Sequence, residues 1–180
     1  KNDIIIVTDY GHGVITKKIR ELITRNSNKI FLNTQINSFN RGYHTIYKYK
    51  KSNTLVINES ELRHETSDRN SSLLILVKKL RKEVIAENII VTQGRAGALF
   101  VNCKDWSFIF CPGFNQKSVD TIGAGDTFLA LSALCIGSKI DNRLTMLISS
   151  LAASFSADQL GNSIFFTHDI LQKQLSHILK

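Results

Sequence analysis

Nothing in this 180-residue sequence is apolar for long enough to cross a membrane. A spanning helix needs about 20 predominantly apolar residues, and the longest runs, such as Ile4–Val7, are strand-sized. Cysteine is scarce. Cys103, Cys111 and Cys135 form no C-x-x-C pair and no metal-ligand spacing, which points to buried or half-buried thiols in a reducing cytosol. There is no internal repeat, no low-complexity linker, no G-x-x-x-x-G-K-[ST] loop and no complete G-x-G-x-x-G, so other phosphate-binding enzymes of those kinds are poorly supported. The opening residues, Lys1-Asn2-Asp3-Ile4, carry neither an initiator Met nor a basic stretch leading into an apolar signal. The expectation is a cytoplasmic chain cut from something longer.

What is present describes one ordinary domain. Hydrophobic residues make up 43%, charged residues 21%, and the mean hydropathy is −0.05, enough to bury a core and too apolar for wholesale disorder. Lys and Arg number 23 against 15 Asp and Glu, a net charge of +8. That excess invites a nucleic-acid hypothesis. The basic residues are dispersed, however, over Lys17, Lys18, Arg20 and Arg25, over Lys48, Lys50 and Lys51, and over Lys78, Lys79, Arg81 and Lys82. No zinc finger, RNA-binding aromatic pair or recognition-helix pattern accompanies them. Solvated helix faces account for the charge, no nucleic-acid partner and no membrane are expected, and a phosphorylated substrate suits it.

Two periodicities alternate. Asp3–Thr8 is a near-continuous run of β-branched residues and reads as a buried strand. Thr16 then caps a helix with Ile19, Leu22 and Ile23 on one face. Strands are expected at Lys29–Asn33, Thr54–Ile57 and Asn88–Thr92, a helix from Ser71 or Ser72 to about Ala86, and a hairpin from Gly97–Asn102 and Trp106–Cys111. Helices follow from Gly125 to about Ile136, from Asp141, and from His168 to Lys180. Between Thr34 and Asn53 the pattern is lost. Alternating strands and helices predict an α/β fold with a mostly parallel sheet flanked by helices, and such folds bind ligands beyond the carboxyl ends of their strands.

The most informative stretch is Asp120-Thr121-Ile122-Gly123-Ala124-Gly125-Asp126. Glycines at 123 and 125 leave the main-chain N–H groups uncovered, and the apolar face that follows (Phe128, Leu131, Leu134, Cys135) places a helix start there. The first amides of a helix have no internal acceptors and carry the positive end of its dipole, so Gly123, Ala124 and Gly125 can form an anion hole. A carboxylate at Asp126, in the first turn, is placed to take a proton from an attacking hydroxyl. A Gly-rich helix start with an Asp added for dipole reasons is the plainer alternative.

The whole string resembles the D-T-x-G-A-G-D signature of the PfkB (ribokinase-like) carbohydrate kinases, with every fixed position matched. Six specified residues would recur by chance in roughly one chain of this length in several hundred thousand. The resemblance implies an ATP-dependent phosphorylation of a sugar or sugar-phosphate hydroxyl, with Mg²⁺ as cofactor. Asn58-Glu59-Ser60-Glu61 resembles the family's N-x-x-E motif, which implies that Asn58 and Glu61 lie near magnesium and hold it through water. An Asn cap with a helix-surface Glu is the alternative. Thr92-Gln93-Gly94-Arg95-Ala96-Gly97 resembles the T-x-G-x-x-G nucleotide segment, implying contacts from Thr92, Gly94 and Gly97, or else a simple hairpin turn. Ser150 stands where the family frequently has Asn in the helix lining the adenine pocket. Asp120 takes a monovalent-cation or structural role by the same resemblance, with capping the alternative. Asp9-Tyr10-Gly11-His12-Gly13 is similar to the D-Y-x-K-G segment of the heptose-phosphate kinase branch, with His12 for Lys. Asn33-Thr34-Gln35 replaces Asp-Pro-Lys.

The resemblance implies that residues 1–180 form the C-terminal, nucleotide-binding and catalytic-base portion of a single sugar-kinase domain, truncated at its N-terminus. The sugar-holding part and the lid would lie upstream, and the fragment alone would be inactive. It also implies a fused or partner nucleotidyltransferase. A sheet edge exposed by truncation favours a homo-oligomer. The alternative function is a catalytically idle, kinase-like binding or regulatory module, motivated by the departures at His12, Asn33 and Ser150.

Overall fold

The computed structural model describes residues 4–26, 29–36, 40, 43–114, 122–158 and 166–178. Six strands form one mixed sheet in the order β1-β2-β3-β4-β5-β6: β1 Ile5–Asp9, β2 Ile30–Thr34, β3 Lys51–Asn58, β4 Ile85–Thr92, β5 Gly97–Asn102 and β6 Phe108–Pro112. The strands β1 to β4 pair in parallel. The connections from β4 to β5 and from β5 to β6 are too short for a crossover, so those neighbours run antiparallel and the last two form the expected hairpin. Helices are α1 Lys17–Asn26, α2 Glu59–Glu65, α3 Leu73–Glu83, α4 Ala124–Gly137, α5 Asn142–Ala157 and α6 His168–Ile178.

The chain divides into two compact units. The first comprises residues 1–93 and 99–109. Its core is built from the inward sides of the parallel strands (Leu32, Leu55, Ile57, Ile89, Val91) and from Leu62, Leu76, Val77 and Leu80 on α2 and α3, all buried. Each such aliphatic side chain is worth about 1.5–3 kcal/mol in burial. Where Thr34–Asn53 shows no periodicity, a 3-10 turn at Ile46–Lys48 is held by Glu65, whose carboxylate accepts from the Ile46 amide at 3.0 Å and the Thr45 hydroxyl at 2.6 Å. Asp9, buried at the end of β1, accepts from the Tyr49 hydroxyl at 2.6 Å and the Gly11 amide at 3.0 Å. Burial and that hydrogen bond push the Tyr49 phenol far above its ordinary pKa.

Among the differences from the sequence reading are two element boundaries and one helix face. The helix α3 stops at Glu83, three residues short of Ala86, because Val84 is already extended and the Ile85 amide bonds the Lys50 carbonyl at 3.0 Å to begin β4. Pairing with β4 also lengthens β3 back to Lys51. On α1, Ile23 packs against the core, whereas Ile19 and Leu22 are exposed at 39% and 61%. The face expected to be buried is thus only partly so.

The second unit comprises residues 94–98 and 110–180. In it α4 packs against α5, with small buried residues on both (Ser132 and Ala133; Ser149 and Ala152) that permit close approach. Asp141 caps α5 as expected, accepting from the Arg143 and Leu144 amides at 2.9 and 3.3 Å. The rings of Phe155 and Phe166 meet at a tilt of 57° with 5.7 Å between centroids, and α5 contacts α6.

Candidate active site

Asn58 ends β3 and caps α2. Its side-chain oxygen accepts from the Ser60 amide at 2.9 Å, and the Glu61 carboxylate reaches back to the Asn58 amide at 3.1 Å, completing a capping box. The other Glu61 oxygen accepts from the Ile36 amide, also at 3.1 Å. The alternative drawn from the sequence, an Asn cap with a nearby Glu, is therefore what the structure shows locally, except that Glu61 is half-buried rather than on the surface. Burial raises the Glu61 pKa, and its two amide partners pull it back.

The register of the parallel pair puts Thr92, the last residue of β4, directly beside Asn58. Two residues that sequence analysis drew from separate motifs are thus neighbours at the carboxyl ends of adjacent strands, where α/β folds place ligands. One step further along each chain, Gln93 Nε2 donates to Glu59 Oε2 at 2.8 Å. Arg63 holds the other oxygen of Glu59 through Nε and Nη2 at 2.9 and 2.7 Å. Together, Gln93 first and then Arg63, they hold the Glu59 carboxyl below its ordinary value. Neither Glu59 nor Gln93 was singled out from the sequence. The i,i+4 spacing of Glu59 and Arg63 was a readable signal; the Gln93 contact depends on strand register and was not.

Gly94 and Gly97 belong to the second unit. Gly97 has φ +115°, and a Cβ there would collide with the Cys111 carbonyl oxygen. The hairpin itself therefore requires glycine at 97. Gly94 lies in the exposed turn between β4 and β5.

Gly123 precedes α4 with φ +82° and ψ −12°, a left-handed conformation that glycine adopts at small cost. The first intrahelical bond runs from the Thr127 amide to the Gly123 carbonyl at 2.9 Å. The amides of Ala124, Gly125 and Asp126 thus have no acceptor inside the helix. A Cβ at Gly125 would meet no described atom within 4 Å, so packing among those residues does not demand glycine there. Asp126 is half-buried in the first turn. Ser150, on α5, is buried, and its hydroxyl and that of Ser149 have no hydrogen-bond partner among the described residues. Asp120 lies outside the described residues. The three cysteines are free and buried.

The pfkB family carbohydrate kinase model matches residues 6–163. The chain belongs to the pfkB carbohydrate kinase family. Curated relatives of this PfkB chain include the bifunctional protein HldE of Aliarcobacter butzleri, 29% identical over 177 residues, and that of Campylobacter curvus, 27% identical over 164. These alignments cover 96% and 89% of the PfkB chain but only 36% and 34% of the relatives, so the chain spans about a third of their length. Among solved structures it is similar to ribokinase from Thermotoga maritima (TM-score 0.75, 21% identity, 97% of this chain and 57% of that one). It is also similar to Arabidopsis thaliana ribokinase complexed with ribose and ATP (TM-score 0.76, 18% identity, 96% and 55%). Phosphofructokinase-2 from Escherichia coli in complex with potassium matches with TM-score 0.74 at 18% identity, covering 98% and 57%. These likenesses establish the ribokinase-like fold, and the HldE relatives agree with the heptose-phosphate kinase branch.

Proposed function

We propose that this chain supplies the nucleotide-binding and catalytic-base portion of an ATP-dependent kinase acting on a sugar or sugar-phosphate hydroxyl. The observation that carries the reading is the D-T-x-G-A-G-D string opening α4 at a left-handed Gly123, with Asp126 in the first turn, inside a family match. Asp126 takes the proton of the substrate hydroxyl as its oxygen attacks the γ-phosphorus of ATP. The bond from that phosphorus to the bridging oxygen breaks, leaving ADP and a phosphate ester. The amides of Gly123, Ala124 and Gly125 stabilise the charge developing on the transferring group.

Glu61 fits Mg²⁺ in one manner, whereas the Asn58 side-chain oxygen is already taken by the amide and hydroxyl of Ser60. Both Glu61 oxygens already accept an amide, and each keeps a further lone pair for a metal-bound water. No cluster of three acidic, His or Cys side chains able to hold a metal occurs among the described residues, so the cation would keep most of its hydration shell, as Mg²⁺ does elsewhere. Bound Mg²⁺ would supply charge neutralisation at the phosphates. Thr92, Gly94 and Gly97 flank the nucleotide, the buried Ser150 hydroxyl lies on its adenine side, and Asp120 serves a monovalent cation. The sugar-holding segment, the lid and a nucleotidyltransferase domain belong to a longer protein.

The test is phosphoryl transfer by the full-length protein against a panel of sugars and sugar phosphates. Asp126→Asn is isosteric and should leave the melting temperature unchanged while lowering kcat about 10²–10⁴-fold. Near wild-type turnover in that variant would remove Asp126 from its role. Binding of Mg·ATP without transfer by the wild-type full-length protein would favour an idle module.

A further inference from the structure

The geometry points to Gln93 as a positioning residue, latched by Glu59 so that the chain entering the nucleotide turn is held before nucleotide arrives; this rests on the kinase reading above. Asn58 and Thr92 are the final register pair of β3 and β4. Beyond that pair the two chains diverge into α2 and the turn at Gly94–Ala96, and main-chain pairing no longer sets their spacing. The Gln93–Glu59 bond, at 2.8 Å, continues the ladder by one side-chain rung.

The anchor end of this rung is fixed from several directions. Arg63 grips Glu59 Oε1 through Nε and Nη2. Its Nη1 also donates to the carbonyls of Arg69 and Ser71 at 2.9 and 3.1 Å, in the connection from α2 to α3. The capping box of Asn58 and Glu61 stiffens the same first turn. Glu59 therefore cannot swing away without giving up two bonds to an Arg63 that a second segment holds in place. A carboxylate so held offers Gln93 one stationary acceptor, and hydrogen bonds to charged groups are the stronger kind. The backbone on either side of Gln93 carries Thr92 and Gly94. Without the latch this stretch would have to be ordered when nucleotide binds, at a cost in affinity.

The variants Gln93→Ala, which deletes the donor, and Gln93→Arg, whose guanidinium again donates to Glu59, are compared in the full-length protein. Amide hydrogen exchange over residues 91–95 is measured without ligand, and Mg·ATP affinity by calorimetry. In Gln93→Ala, exchange should accelerate, the melting midpoint should stay put, and Mg·ATP binding should weaken about three- to tenfold; Gln93→Arg should restore both. Unchanged exchange in Gln93→Ala would overturn the latch. Faster exchange with unaltered affinity would overturn its link to the nucleotide. If wild-type protein bound no Mg·ATP, the kinase reading and the nucleotide role would fall together, while the exchange data would still decide whether the latch exists.

Discussion

Glycine 97 and glycine 125 look alike in the sequence and are held by different causes. At Gly97 the cause is internal: φ is +115° and the Cys111 carbonyl fills the space a Cβ would need. Gly97→Ala should destabilise the fold by about 2–4 kcal/mol, since it adds a backbone collision to a left-handed strain. Thermal unfolding checks it, and a shift within error would mean that the hairpin relaxes easily. At Gly125 no described atom opposes a side chain, so Gly125→Ala should leave the melting temperature nearly unchanged, and under the proposed anion-hole role it should weaken Mg·ATP binding measured by calorimetry. Among the motif carboxylates, Glu61 likewise has an internal cause, since each of its oxygens accepts a main-chain amide.

At the scale of elements, α2 carries two carboxylates that titrate in opposite directions. Glu59 is lowered by Gln93 and Arg63, and Glu61 is raised by burial. The depressed Glu59 contributes stability that is fully present above the ordinary value of 4.5 and is lost as pH falls through its lower folded value. Glu61 behaves inversely, its contribution being present below 4.5 and lost as pH rises through its higher folded value. The stability difference between wild type and Glu59→Gln should therefore be widest at neutral pH and close as pH drops below about 4.5. Urea midpoints across the carboxylate range measure it, and a difference that widened in acid would reverse the assignment. The element entered the sequence reading only as an alternative, an Asn cap with a helix-surface Glu. A helix of seven residues directly after a strand leaves too few turns for a periodic apolar stripe, and only its cap, Asn58, and the acidic first turn announce it.

For the molecule as a whole, the sheet leaves β1 at one end of the strand order. Ile6 on β1 is 41% exposed, Val14 78% and Leu22 61%. Exposed apolar side chains together with an unpaired strand edge favour self-association. The 180-residue chain should sediment with a concentration-dependent mass, and Leu22→Lys should reduce that dependence. A chain that stays monomeric at high concentration would show these exposed side chains to be harmless. No helix among the described residues is long and apolar enough to cross a membrane.

By itself the sequence determined where strands and helices alternate, because the buried strands of a parallel sheet demand apolar runs such as Asn88–Thr92, and it located the glycine-rich start of α4, because Gly123-Ala124-Gly125-Asp126 is a contiguous string. The run Ile4–Val7 also marks a strand, but at the edge of the sheet, where Ile6 stays exposed. Tertiary structure alone decided which residues meet. That Asn58 lies beside Thr92, that Gln93 bonds Glu59, and that the Ile36 amide claims Glu61 follow from a register between strands 34 residues apart, or from a loop reaching back 25 residues. Such separations carry no local periodicity. They are set by the packing of the sheet, which joins segments according to their buried faces rather than their order in the chain.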